Sequence, residues 1–316
     1  MSHHGRGHGQ HKWNRNDHRR NDRAKNRPMV GDRAKEALDD INDDSPVLRS
    51  FRVYAQELDR KHDKYERLVK ISRDITIESK RIIFLLHSAD KESKKAAALS
   101  EAEARLANLI STHFKNIAKE LEGEDPYQFV RAYYPALQEY VEATTFYQYL
   151  MDSTLCHWKD IQKKLIYSVT AEKKCDEDAE GEELTDPKPV EGDLTLKEAE
   201  LVALLPPIDY VMGVADLTGE LMRKCINSLG SGDISICHQT CSFVREIYRG
   251  FLGVEYSSCG YLGSKLNVLR ASLGKMESSC YELTVRGTEI PTHLLAETIT
   301  RKAIGDDFND EDEGFY

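Results

Sequence analysis

Turn-forming residues are scarce in this sequence, with 19 glycines and 9 prolines in 316 residues, below the ~12% share of an average chain. A chain so short of turns is poorly suited to a sandwich or barrel of many short strands. No run approaches the ~20 apolar residues of a membrane span, and no secretory signal core is present at the N-terminus. A soluble, intracellular protein with no membrane partner is therefore expected. The G-x-S-x-G elbow and the G-x-x-x-x-G-K-[ST] phosphate loop are both missing, which argues against serine-hydrolase and P-loop chemistry. Glu-x-x-His is missing too, which argues against a di-iron redox bundle. The seven cysteines (Cys156, Cys175, Cys225, Cys237, Cys241, Cys259, Cys280) are an odd number, as expected of reduced thiols rather than a disulfide framework. Cys237 and Cys241 flank His238 at a zinc-like spacing, but no second ligand pair accompanies them, so they read as buried helix cysteines.

What the sequence has in abundance is charge, 31% of its residues, with a net of −10. That charge is unevenly spread. Residues 1–35 hold ten Lys or Arg and three Asp, so the arm carries +7 and the remainder −17. The arm, about 1–45, has too few apolar residues to fold alone and is expected to be disordered. Its Arg19-Arg20 and Lys25-x-Arg27 pairs make a loose nuclear-import signal, consistent with residence in cytoplasm and nucleus. Residues 170–193 form an acidic, aperiodic loop, and 301–316 an acidic tail.

Between the ends the periodicity is helical. Ser45-Pro46 gives an N-cap followed by proline at the first helical position. Leu48, Phe51, Ala55, Leu58, His62, Tyr65, Val69 and Ser72 then alternate by three and four, the spacing of a helix packed along its length. Further helices are expected over Glu92–Leu121, Pro126–Asp152 (kinked or restarted at Pro135), Trp158–Tyr167, Leu194–Leu205, Ile208–Leu229, Asp233–Tyr248 and Leu262–Val285, with a short one after Pro291. The expected architecture is all-α, a single bundle of about seven helices over 46–300.

Two acidic clusters lie in apolar surroundings. Glu139 and Glu142 of LQEYVEA are three apart, and Asp216 and Glu220 of VADLTGE are four apart, so each pair shares a helix face. Gly213 and Gly219 would let a second helix approach. Like-charged pairs facing into a bundle must be protonated, paired with cations or bridged by metal. Together they would offer hard oxygen ligands for Mg²⁺, or alternatively Mn²⁺. A separate basic series, Lys61, Lys64, Arg67, Lys70 and Arg73, recurs every three residues. It reads either as a solvated face or as a stripe contacting nucleic-acid phosphates.

The segments HDKYERLVKISRDITIESKRIIFLLH (62–87), LQEYVEATTF (137–146), PPIDYVMGVADLTGELMRKCINSLGSGD (206–233) and CYELTVRGTEIP (280–291) resemble the translin family. The resemblance implies a seven-helix fold and assembly with translin into a closed hetero-octamer. It also implies a Mg²⁺-dependent endoribonuclease acting on single-stranded RNA, which promotes activation of the RNA-induced silencing complex by removing the passenger strand. Carried across, the catalytic carboxylates are Glu139, Glu142 and Asp216, with Glu220 as a further metal ligand. The competing expectation is a non-catalytic scaffold that binds translin and single-stranded DNA or RNA. On either reading, the apolar stripe of the first helix should leave the isolated chain poorly soluble.

Overall fold

A computed structural model describes residues 45–88, 92–170, 198–231, 234–254 and 260–286. The expectations for the basic arm, the acidic loop, the helix after Pro291 and the tail lie outside these residues. The chain divides into two units, 1–61 and 62–316.

Seven helices and one short ribbon make up the described residues. Helix α1 is Pro46–His87, 42 residues without a break, as its lack of internal Gly and Pro allows. In the first unit its apolar positions are open: Val47, Phe51, Tyr54 and Leu58 are all more than half exposed, with Phe51 and Tyr54 edge to face. The part of the 3-4 stripe from Phe51 to Leu58 is thus exposed, while Tyr65, in the second unit, packs against the core. Burial begins in the second unit at Leu68 and continues through Ser72, Ile75, Ser79, Ile82 and Leu86, a new stripe at the same spacing.

Helix α2 runs Glu92–Leu109, passes through a π-helical turn Ile110–Phe114 and continues as Lys115–Glu120. α3 is Pro126–Asp152, capped by the Asp125 carboxylate, which accepts from the Tyr127 N–H at 3.0 Å. Pro135 neither ends nor restarts α3. It is exposed, so water can serve the carbonyl that loses its helical donor. α4 is Trp158–Lys164, followed by β1, Ile166–Thr170, which pairs antiparallel with β2, Glu198–Val202, in the register Ile166 to Val202.

The ribbon corrects the helix expected over 194–205 and the one expected to reach Tyr167. Glu198, Ala199, Glu200 and Leu201 alternate with the two-residue period of a strand. The partner IYSVT is rich in β-branched and aromatic residues, and pairing overrides the helix preference of Glu, Ala and Leu. The ribbon is tied in by the Tyr167 hydroxyl, which donates to the Ile110 carbonyl in the π-turn at 2.7 Å. Gln162 clamps the same end, accepting from the Leu205 N–H and donating to the Ala203 carbonyl.

Helices α5 (Pro207–Ser231), α6 (Ile234–Leu252) and α7 (Gly260–Arg286) complete the fold. α5 is the central element, packing against α3, α6 and α7. Its closest approach is to α3 at Gly213, where a Cβ would lie 2.7 Å from both the Gln138 carbonyl and the Val141 Cβ. Gly213 therefore does what its sequence position implied. Gly219 does not, since a Cβ there would meet nothing within 4 Å.

Candidate active site

The α3–α5 contact sets the site. Gln138 and Val141, which touch Gly213, immediately precede Glu139 and Glu142. One and two turns along α5 from Gly213 lie Asp216 and Glu220. Backbone contact thus brings the two acidic pairs of the sequence together without any side chain bridging them.

Glu142 occupies the inner position. It is only 9% exposed, and its carboxyl is pushed up to about 8, first by burial and then by the charges of Asp216, Glu139 and Glu220. The other three carboxylates therefore all act on Glu142 electrostatically. The other three each hold a cation. Glu139 accepts from Lys80 of α1 at 3.0 Å, and that carboxylate raises the Lys80 ammonium above its usual range. Asp216 accepts from Lys265 of α7 at 2.5 Å, and the same ammonium also donates to Gln138 Oε1 and the Met212 carbonyl. Glu220 accepts from His87 Nε2 at 2.5 Å and from Arg223 at 3.1 Å. Burial alone would raise the Glu220 carboxyl, but His87 and Arg223 bring it below its ordinary value.

His87 is stacked against Phe146 at 4.9 Å between ring centroids. Its Nδ1 is buried with no hydrogen-bond partner among the described residues. Below the carboxylates, Gln138 donates to the buried Asp209 at 2.9 Å, so Gln138 links Lys265 to a fifth acid.

The carboxylates do not form a ready-made ligand shell. Among the described residues, no group of three or more His, Cys, Asp or Glu is drawn together as a metal site. Like charges separate, and each outer carboxylate turns to its nearest cation. The donor type still suits a hard divalent ion, because carboxylate oxygens are its usual ligands.

Lys80, His87 and Lys265 were not singled out in the sequence. Lys80 and His87 are seven apart on α1, hence on one face, and they interrupt the apolar stripe of Ser79, Ile82 and Leu86; that was a usable signal. Lys265 had none, because its role depends on how α7 meets α5.

The basic series on α1 is less available than its spacing implied. Lys61 pairs with Glu57 at 3.2 Å, Lys64 with Glu124 at 2.8 Å, and Arg67 with Glu120 at 3.0 Å. Lys70 and Arg73 are exposed. Three of the five thus stand in ion pairs along α1 or between α1 and the α2–α3 connection.

The fold and site together define an all-α bundle that gathers four carboxylates at the crossing of its two central helices. The profile of the Translin family matches residues 63–287. A relative from Pongo abelii named Translin-associated protein X is 43% identical over 87% of this chain and 90% of its own length. The Mus musculus protein of the same name is 44% identical over 85% of this chain and 88% of its own. The chain belongs to the Translin family. A solved complex of AfC3PO with duplex RNA shares the fold, with a TM-score of 0.51 at 20% identity over 76% of this chain and all of that one.

Proposed function

We propose that this protein is the catalytic subunit of a Mg²⁺-dependent endoribonuclease that cleaves single-stranded RNA while assembled with translin. Removal of the silencing complex's passenger strand is the proposed use of that activity. The observation that carries the reading is Glu142, a buried carboxyl crowded by three other acids from two helices, an arrangement that costs stability and has no packing rationale. Support for the partner comes from the relatives' shared name and from the open apolar stripe of α1. Support for RNA comes from the AfC3PO complex.

Glu142 and Glu220 would hold the ion, with Glu139 and Asp216 beside them. When bound, Mg²⁺ (or Mn²⁺) supplies positive charge to a phosphoryl oxygen and acidifies a water. The chain's own groups do the rest. Glu139 and Asp216 are proton acceptors within the pocket, and neither is deeply buried. Lys80 and Lys265 are held on those two carboxylates and place ammonium charge where a phosphodiester's negative oxygens must come. His87 Nε2 fixes one Glu220 oxygen, leaving the other to act as ligand. Gln138 keeps Lys265 oriented by accepting from it.

The test is single-turnover cleavage of a single-stranded RNA by the chain co-purified with translin, in Mg²⁺ and in EDTA, beside Glu142→Gln and Asp216→Asn. A scaffold without catalysis, the competing reading, predicts equal cleavage in all of these variants. The open α1 stripe fits that reading equally well; the acid pocket favours the enzyme.

A further inference from the structure

Beside the acid pocket, α1 and α2 enclose a cavity of about 410 Å³ lined by Lys80, Arg81, Phe84, Leu85, Ser88 and Arg105, within the ~300–1,000 Å³ usual for small-ligand sites. Its floor and walls differ in character. Phe84 is 79% exposed although its neighbours Ile82, Ile83 and Leu86 are buried, so an aromatic face is left to solvent in the last turn of α1. Around the ring stand three cations and no acid. Glu78, behind the lining, holds Arg81 at 3.3 Å and Arg105 at 3.5 Å. One carboxylate thus orients two guanidiniums. Arg105 also meets Glu101 at 3.4 Å. Each guanidinium has five donors, so both retain N–H groups for a further anion. Lys80 joins the two regions, because it lines the cavity and bonds Glu139.

We propose that this cavity is a nucleotide subsite: Phe84 stacks one base of single-stranded RNA, and Arg81 and Arg105 take the adjoining phosphate. An exposed aromatic ring framed by cations is the combination that binds single strands without reading their sequence. The subsite supplies what the five-residue basic series of α1 lacks, an aromatic platform with guanidiniums oriented beside it. Its position next to Lys80 leads the strand toward the carboxylates. The proposal rests on the ribonuclease reading of the neighbouring pocket.

The experiment measures binding of a fluorescein-labelled single-stranded oligouridylate by anisotropy, in EDTA, to the translin-containing complex. The proteins are wild type, Phe84→Ala, Phe84→Trp, Arg105→Gln and Cys225→Ala. Removing one stacked base should weaken binding about tenfold in Phe84→Ala, while Phe84→Trp retains wild-type affinity. Arg105→Gln should flatten the plot of log affinity against log salt by about 0.7, the value of one phosphate contact on a single strand. Cys225→Ala should bind as wild type does. If wild type binds and Phe84→Ala binds equally well, the subsite is overturned while the nuclease reading stands. If Phe84→Ala releases translin on sizing, Phe84 is a subunit contact and the subsite is equally overturned. If wild type binds no RNA and Mg²⁺ restores neither binding nor cleavage, both readings fall together.

Discussion

Helix α5 serves two buried clusters of ionisable groups that are built on different terms. In its middle, Asp216 and Glu220 join Glu139 and Glu142. Further along, Cys225 joins Cys237 and Cys241 of α6 and Cys280 of α7. The thiols satisfy one another. Cys237 donates to the Cys225 carbonyl at 3.0 Å and Cys225 to the Cys237 carbonyl at 3.8 Å. The Cys225 thiol is pushed up by its bonds to Cys237 and Cys280, and the Cys241 thiol by burial. Cys280 is the exception, its thiol brought down to about 6 by the Cys225 bond, His238 and Arg245, while Cys225 and Cys241 are held neutral and pack as small apolar residues. The acids need far more from outside. They draw Lys80, Lys265, His87 and Arg223 from three helices and still leave Glu142 unfavourably placed. The thiols mostly serve one another; the acids must borrow counter-charges from all round, and that is where chemistry is to be sought.

That contrast can be broken by mutation. The largest effect is expected where the backbones meet. Gly213→Val would drive a side chain into Gln138 and Val141, costing about 3 kcal/mol and lowering the thermal midpoint of the complex by roughly 8 °C. Calorimetry showing no loss would mean that α3 and α5 have room to spare.

Next in size is the acid pocket itself. The folded-state carboxyl of Glu142 is raised to about 8, so the native chain binds a proton that the unfolded chain releases near 4.5. Stability from this group is complete below about 4.5 and is lost as pH rises through 8, at up to about 1.4 kcal/mol per pH unit. Glu142→Gln should remove that slope and raise the midpoint at pH 8 by about 5 °C, corresponding to roughly 2 kcal/mol. Parallel melting curves of the two proteins from pH 5 to 9 would refute the buried, crowded carboxyl.

The thiol cluster should behave oppositely. Cys225→Ala should cost about 1 kcal/mol from lost burial, with RNA cleavage unchanged. Smallest is the basic series, where Lys61→Met removes an exposed pair with Glu57 and should alter chemical-denaturation stability by no more than about 0.3 kcal/mol. A larger change would give that series a weight its exposure does not predict.

Much of this was legible in the sequence because the signals were local. The Ser45-Pro46 cap and the 3-4 spacing declared helices, and ExxE and DxxxE declared shared faces. The ribbon was hidden, since EAELV carries helix-forming residues and becomes a strand only by pairing with IYSVT. The counter-ions were hidden for a related reason. Lys80 and Lys265 are 59 and 126 positions from Glu139 in the sequence, and only the α3–α5 crossing shows which acids they serve. The basic series misled in the other direction, because its partners Glu120 and Glu124 come from the far end of α2 and the turn that follows it.

The central claim, that the acid pocket is catalytic and the thiol cluster structural, is tested most directly by one comparison. Single-stranded RNA is incubated in Mg²⁺ with translin complexes containing wild type, Glu142→Gln, Asp216→Asn or Cys225→Ala, and the cleavage rate of each assembled complex is measured. The account predicts losses of about 100-fold or more for both acid variants, of the size seen on removing one group that stabilises transition-state charge, and a wild-type rate for Cys225→Ala. Cleavage at the wild-type rate by Glu142→Gln and Asp216→Asn would contradict it.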